Sequence, residues 1–243
     1  MSAPLDPSLL LKAYAAGIFP MADGRDAAEI YWVEPKKRGL LPLEDFRLSR
    51  SLAKTLKSGR FETTLDRAFG DVVALCAAEA PDRPSTWIND QIETAVTQLH
   101  NVGSAHSIET WADGKLVGGL YGIRLGRAFF GESMFSRATD ASKVALAHLV
   151  ARMRVGGFTL LDCQFITPHL ASLGAVEVGR NHYMTLLSSA LSAPSPALAP
   201  ASGSADFRAL DALPDDALGS PRMTMVSGPV SGWRIMQALA QTS

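Results

Sequence analysis

Between residues 104 and 135 the chain passes through three strand-like segments joined by tight turns, and this hairpin succession constrains the fold more than any other feature. Residues 104–112 form the first segment, Asp113-Gly114 is a hairpin signal, and residues 115–125 return, rich in glycine. Asp and Gly tolerate the left-handed angles of a two-residue turn, so the pairing of these two segments is set locally. Gly126 then turns the chain into 127–135. A helical stretch at 141–155, stopped by Gly156-Gly157, leads into a buried strand at 158–165. A short helix capped by Thr167-Pro168 and stopped by Gly174, a last strand and a helix ending near residue 191 complete an α+β core.

The front of the chain differs in texture. Asp6 caps an opening helix, Pro7 sits in its first turn, residues 9–16 fill it and Gly17 ends it. Residues 20–48, with three prolines, read as loop and short strands; helices are expected near 68–78 and 89–100, with a loop at 81–85 between them. From 189 to 205, 15 of 17 residues are Ala, Pro, Ser or Gly, the composition of a flexible linker. Beyond it, 232–239 reads as a short helix whose Trp233 is expected to dock on the body. The division expected is a small N-terminal α/β domain at 1–60, a catalytic domain at 61–191 and a linker and tail at 192–243.

Charge is unevenly placed. The total is −1, yet residues 36–60 carry eight basic residues against Glu44 and Asp45, a local +6 that leaves −7 elsewhere. Ser49 caps a helix there, and at about 100° per residue Arg50, Lys54 and Lys57 share a face opposite Leu52 and Leu56. With Arg47 and Arg60 they form a cationic stripe suited to phosphates, unless the face is merely solvated. The apolar content of 47% excludes general disorder, and no apolar run reaches the roughly 18 residues of a membrane span. The opening MSAPLDPSLL lacks the pattern of a signal peptide, which makes a cytoplasmic protein the expectation.

Several chemistries find no support. The histidines and the two cysteines show no metal-ligand spacing, no GxG pair exists among the glycines, and no Walker sequence occurs. The segment Gly131-Glu132-Ser133-Met134-Phe135 is not a nucleophile elbow. Two polar intrusions stand out instead. In Leu161-Asp162-Cys163-Gln164-Phe165, alternation puts Asp162 and Gln164 on one face and Leu161, Cys163 and Phe165 on the other, the core side. Glu132 sits among Phe129, Phe130, Met134 and Phe135, where a carboxylate needs a partner. It either pairs with Arg137 or faces a cleft that receives a ligand amine.

The element order matches a GNAT-like acyltransferase core, except that the turn before the long helix, Ser136-Arg137-Ala138-Thr139-Asp140, has no glycine with which to cradle an acyl carrier's pyrophosphate. In this setting the sequence resembles the leucyl/phenylalanyl-tRNA–protein transferases. The segments that carry the resemblance are AYAAGIFP at 13–20, SRS at 49–51, TWI at 86–88, HSIE at 106–109, VGGLYG at 117–122, GESMFSR at 131–137, ASK at 141–143, LDCQ at 161–164 and HLASLGA at 169–175, in family order. The resemblance implies an acyltransferase fold and transfer of Leu or Phe (also Met) from aminoacyl-tRNA to the α-amine of proteins beginning with Arg or Lys. The new N-terminus marks the protein for degradation by the N-end rule. It further implies a catalytic pair, Asp162 and Gln164, and a donor pocket of Leu120, Phe129, Glu132, Met134 and Leu149. Trp87, with Trp32, would lie at the 3′ adenosine or the acceptor peptide, and Arg47, Arg50, Lys54, Lys57 and Arg60 would contact tRNA.

An ester becomes an amide, so neither ATP, cofactor nor metal is called for, and a monomer with no membrane association is expected. Gln164 cannot titrate and is expected to orient the substrate, polarised by Asp162, with a general-base role for Asp162 as the alternative; Asp162→Ala is expected to abolish transfer but keep the fold and tRNA binding. The chain departs from the family where paired tryptophans are common: it reads Trp32-Val33-Glu34-Pro35. Leu149 replaces a frequent aromatic, which deepens the pocket. Alternatives are acidic or cell-wall-peptide acceptors, or a non-catalytic tRNA-binding protein.

Overall fold

The computed structural model describes residues 4–79, 85–192, 205–213 and 230–240. Helix α1 (Pro7–Ala15) begins as its sequence dictates, with Asp6 accepting from the Ser8 N–H at 2.8 Å and Pro7 in the first turn. Strands β1 (Phe19–Met21) and β2 (Tyr31–Val33) form a small antiparallel ribbon. Strand β3 (Lys37–Leu40) and a 3-10 turn at Leu43–Asp45 lead to α2 (Arg50–Lys57), where the Ser49 hydroxyl accepts from Leu52 N–H. Next come β4 (Glu62–Leu65), α3 (Phe69–Ala77) and α4 (Asp90–Asn101), then the hairpin strands β5 (Ala105–Ala112), β6 (Lys115–Leu125) and β7 (Ala128–Ser136). Helix α5 (Ala141–Val155) has the bounds its sequence predicts. It is followed by β8 (Leu160–Gln164), α6 (Pro168–Ser172), β9 (Val176–Gly179) and α7 (Arg180–Leu191), with α8 (Ala209–Ala212) and α9 (Gly232–Ala240) in the tail.

Seven strands form one mixed sheet in the order β4-β5-β6-β7-β8-β3-β9. The hairpins pair antiparallel as read from their turns, whereas β7 and β8, separated by α5, run parallel. Strand β3, from the front of the chain, inserts between β8 and β9, antiparallel to both. A side chain on Gly39 would strike the backbone of Phe165 and Ile166 at 2.9–3.0 Å, so only glycine admits the segment after β8 there.

Alternation sorts the interior into two cores, one on each face of the sheet. Leu120, Phe129 and Leu161 join α2, α5 and α9 on one face; Tyr121, Phe130 and Tyr183 join α1, α3, α4 and α7 on the other. Phe165 departs from the expected pattern: it is half exposed and meets Phe19 edge-on, because β8 ends at Gln164 and the backbone turns there. Of the linker expected at 189–205, residues 189–191 belong to α7, and residues 193–204, like 81–84 of the expected loop, lie outside the described residues. Trp233 meets the body through Lys57 of α2 but stays mostly exposed, and Ile235, Ala238 and Leu239 bury α9.

Candidate functional site

Strands β7 and β8 pair only from Ala128↔Leu160 to Phe130↔Asp162. Beyond that point they part, while on the other edge of β8 the pairing with β3 continues, with Gly39 opposite Gln164. Two local irregularities aim side chains into the opening. On β7, Tyr121 faces Ser133 while Gly122 faces Gly131, which leaves Glu132 as the extra residue of a bulge. On β8, Asp162 Oδ1 accepts the Gln164 N–H at 2.7 Å, an Asx-type turn that holds Gln164 at φ +60°. That is a left-handed conformation an L side chain occupies at a cost of about 1–3 kcal/mol. The result is a bridge across the gap: Gln164 Nε2 donates to Glu132 Oε1 at 2.8 Å.

Glu132 is buried, and its partner is Gln164 rather than Arg137. Burial pushes its carboxyl up to about 8, helped by the nearby Asp162 charge and opposed by the Tyr14 hydroxyl and the Gln164 amide. Such a carboxyl is mostly the neutral acid at pH 7. Tyr14 is fully buried beside it, its hydroxyl held well above the usual range by burial and the Glu132 charge.

Asp162 is arranged differently from the expectation that it polarises the Gln164 side chain. Arg38 Nε donates to both its oxygens at 2.9 Å, Arg38 Nη2 lies 2.7 Å from Oδ2, and the Tyr183 hydroxyl donates at 2.8 Å. Contact with Gln164 runs through the backbone N–H, while the Gln164 carboxamide turns to Glu132. Arg38 and Asp162 are 1% and 0% exposed, and the guanidinium lies between the rings of Phe19 (4.6 Å) and Tyr183 (4.8 Å). One of the eight basic residues of 36–60 is thus not surface charge, and Lys37 pairs with Glu177 at 2.7 Å. Charge counting missed this role for Arg38. The signal was present: Arg38 precedes the apolar Gly39-Leu40-Leu41, where a cation needs a carboxylate as surely as Glu132 needs a partner.

The remaining expected residues fall into groups. Leu120, Phe129 and Leu149 are buried between the sheet and α5, with Met134, opposite Leu120, half-buried at the edge of that core. Cys163 packs on the same core, and burial, with the Asp162 charge, raises its thiol to about 12. Trp32, exposed on β2, lies opposite Pro20 in the middle of β1, and the carbonyl of the half-buried Trp87 accepts from Ala22 N–H, just past the end of β1, at 3.1 Å. Glu34 is taken up by an ion pair with Arg180. At the start of α5, Asp140 places a carboxylate paired with Lys143, where a phosphate nest would need open amides.

Arg47, Arg50, Lys54, Lys57 and Arg60 are all exposed, while Leu52 and Leu56 are buried. The Arg47 N–H donates to Leu173 O at 2.9 Å, which ties the head of the stripe to the segment following β8. Lys57 Nζ lies 5.4 Å from the centre of the Trp233 ring. A cavity of about 700 Å³ sits apart from these groups, between residues 23–27, the end of α3 and Ser85-Thr86. Among the described residues, no cluster of three or more His, Cys, Asp or Glu is placed to hold a metal ion, and no helix is long and apolar enough to cross a membrane.

Comparison with known proteins covers nearly the whole described chain. The family described as leucyl/phenylalanyl-tRNA protein transferase matches residues 40–188, and its N-terminal domain matches residues 3–36. A leucyl/phenylalanyl-tRNA–protein transferase of Rhizorhabdus wittichii is 60% identical, covering 98% of this chain and 99% of its own. One of Nitrobacter winogradskyi is 49% identical, covering 100% and 97%. The solved structure of L-PGS from Bacillus licheniformis is 11% identical with a TM-score of 0.38, covering 70% of this chain and 56% of that one, a likeness too slight to bear on fold or chemistry.

Proposed function

Because the chain belongs to the leucyl/phenylalanyl-tRNA–protein transferases, a family of aminoacyl-tRNA-dependent aminoacyltransferases, we propose that it transfers Leu or Phe, and also Met, to the α-amine of proteins beginning with Arg or Lys. The modified proteins then carry an N-end rule degradation signal. The observation that carries this reading is the bridged opening between β7 and β8, where Glu132 and Gln164 meet with Asp162 clamped behind them. We read the hairpin sheet, the α5 crossover and the parting strands as a GNAT-like core at 61–191. Residues 1–60 bring the basic helix and lend β3 to the same sheet, and 192–243 supply a tail; the protein acts as a cytoplasmic monomer.

The donor side chain enters toward Met134, Leu120 and Leu149, with Phe129 at the far end. Such a pocket rejects polar side chains far better than it separates Leu, Phe and Met, since one methylene changes binding by only about 1–3 kcal/mol. The donor α-ammonium meets Glu132, which ionises as it gains that partner. Gln164, released from its bridge, donates its amide to the ester carbonyl oxygen and steadies the charge that develops there. The neutral acceptor amine attacks the carbonyl carbon: a C–N bond forms, the C–O bond to the ribose breaks, and the nitrogen's proton ends on the departing ribose hydroxyl. An α-amine of pKa about 7.7–8 is already partly neutral at pH 7, so positioning rather than a strong base supplies the rate. The oxygens of Asp162 are occupied by Arg38, Tyr183 and the Gln164 N–H, so Asp162 orients Gln164 and does not take the proton.

The stripe of Arg47, Arg50, Lys54, Lys57 and Arg60 binds acceptor-stem phosphates, which the otherwise acidic chain would repel. Trp32 and Trp87, with the exposed Phe165, hold the 3′ adenosine or the acceptor peptide by stacking. The test incubates the protein with labelled Leu-tRNA and peptides beginning with Arg, Lys, Asp or Glu. Label on the Arg and Lys peptides alone is expected; label on the Asp or Glu peptides overturns the acceptor assignment, and label on none overturns the activity.

A further inference from the structure

The segment 205–212 inserts a buried ring against the back of the donor pocket. Phe207 is 1% exposed and stacks between Phe129 (5.2 Å, 8° between planes) and His106 (4.5 Å, 18°), with Phe158 edge-on at 5.6 Å. The docking is specific rather than a loose apolar contact. Arg152 on α5 forms a two-pronged ion pair with Asp211 at 2.9 and 2.6 Å and donates to Phe207 O at 3.1 Å. Its Nε donates to the buried His148 Nε2 at 2.9 Å, which fixes the guanidinium from behind. The Asp206 N–H donates to Gly156 O, and any side chain on Gly156 would strike Asp206 O, so the glycine that closes α5 also admits the tail. Arg208 adds an ion pair with Asp66 at 3.5 Å.

From this geometry we infer that Phe207 sets the depth of the donor amino-acid pocket, as a specificity-determining residue supplied by the C-terminal segment. It acts through Phe129 rather than by touching the donor. Phe129 can yield toward the tail only as far as Phe207 allows, and Leu149, one helical turn before Arg152, stands on the element that anchors the tail. Close-packed interiors transmit such a volume change, so removing the ring lets the pocket floor drop. The inference rests on the pocket assignment above.

The experiment measures transfer of Leu, Phe and Trp from their charged tRNAs to one Arg-initiated peptide by the native chain, Phe207→Ala, Phe207→Leu and Phe129→Leu. The readout is the Phe:Leu ratio of kcat/KM, internal to each variant and insensitive to partial unfolding. Phe207→Ala is expected to raise the ratio by about fivefold or more and to make Trp transfer detectable, with Phe207→Leu between it and the native chain. A native ratio in Phe207→Ala, beside an altered one in Phe129→Leu, overturns the role of Phe207 and leaves the pocket standing. Native ratios in both remove the pocket assignment and the inference with it.

Discussion

The protein carries cations in two contrasting settings. Arg38 is entirely desolvated, sandwiched between aromatic rings and fixed to one carboxylate by three short contacts, whereas Arg50 and Lys54 stand in water on the outer face of α2. Buried charge is costly unless its partner is present, so the Arg38–Asp162 pair is rigid and intolerant of change. Exposed charge is cheap and replaceable, and it acts through its sum. The first arrangement suits a group that must hold its neighbour in one place, as Asp162 holds the Gln164 N–H at 2.7 Å. The second suits an RNA backbone, whose phosphates are many and alike.

The contrast predicts a descending series of effects. Arg38→Met should cost about 3–5 kcal/mol in denaturant unfolding, because it strands Asp162 as an uncompensated buried charge. Asp162→Ala should cost a similar amount by stranding Arg38, and a cost below about 1 kcal/mol for either would break the comparison.

Glu132 provides the next test, through pH. Its folded value near 8 lies above the unfolded carboxyl value of about 4.3, so its contribution to stability is complete below about pH 4 and is lost as pH rises through 8. Glu132→Gln cannot ionise and should escape that loss. Compared with the native chain it should gain on the order of a few kcal/mol between pH 5 and 9, and parallel stability curves would contradict the buried acid. Ser49→Ala removes the α2 cap and should cost about 1 kcal/mol with no change in the Phe:Leu ratio. Arg50→Ala and Lys54→Ala should each change stability by less than about 0.5 kcal/mol, while lowering the slope of log affinity against log salt for tRNA by roughly 0.7–0.9. An unchanged slope would mean that the stripe binds no phosphate.

Much of the fold was open to sequence reading because its causes are local. Asp113-Gly114 and Gly126 set the hairpins, Gly156-Gly157 stopped α5 at the residue expected, and Asp6, Ser49 and Thr167 capped the helices assigned to them. The polar residues of the candidate site were legible too, since Asp162, Gln164 and Glu132 interrupt apolar strands. Their partners were not. Glu132 reads equally well as a partner of Arg137, five positions away, and nothing local singles out Gln164, 32 positions on. Phe165 was misplaced for a related reason: strict alternation assumes extended backbone, and the turn at Gln164 ends it.

What the amino-acid sequence settled by itself was most of the helices, the hairpin strands and the family, all of which depend on short-range spacing and residue chemistry. What the tertiary structure alone decided was who meets whom. Strand β3 crosses from the front of the chain to deliver Arg38 to Asp162, and the tail returns to set Phe207 behind Phe129. Such pairings join residues 124 and 78 positions apart. They are chosen by the global minimum of burial and charge pairing, which no local pattern encodes.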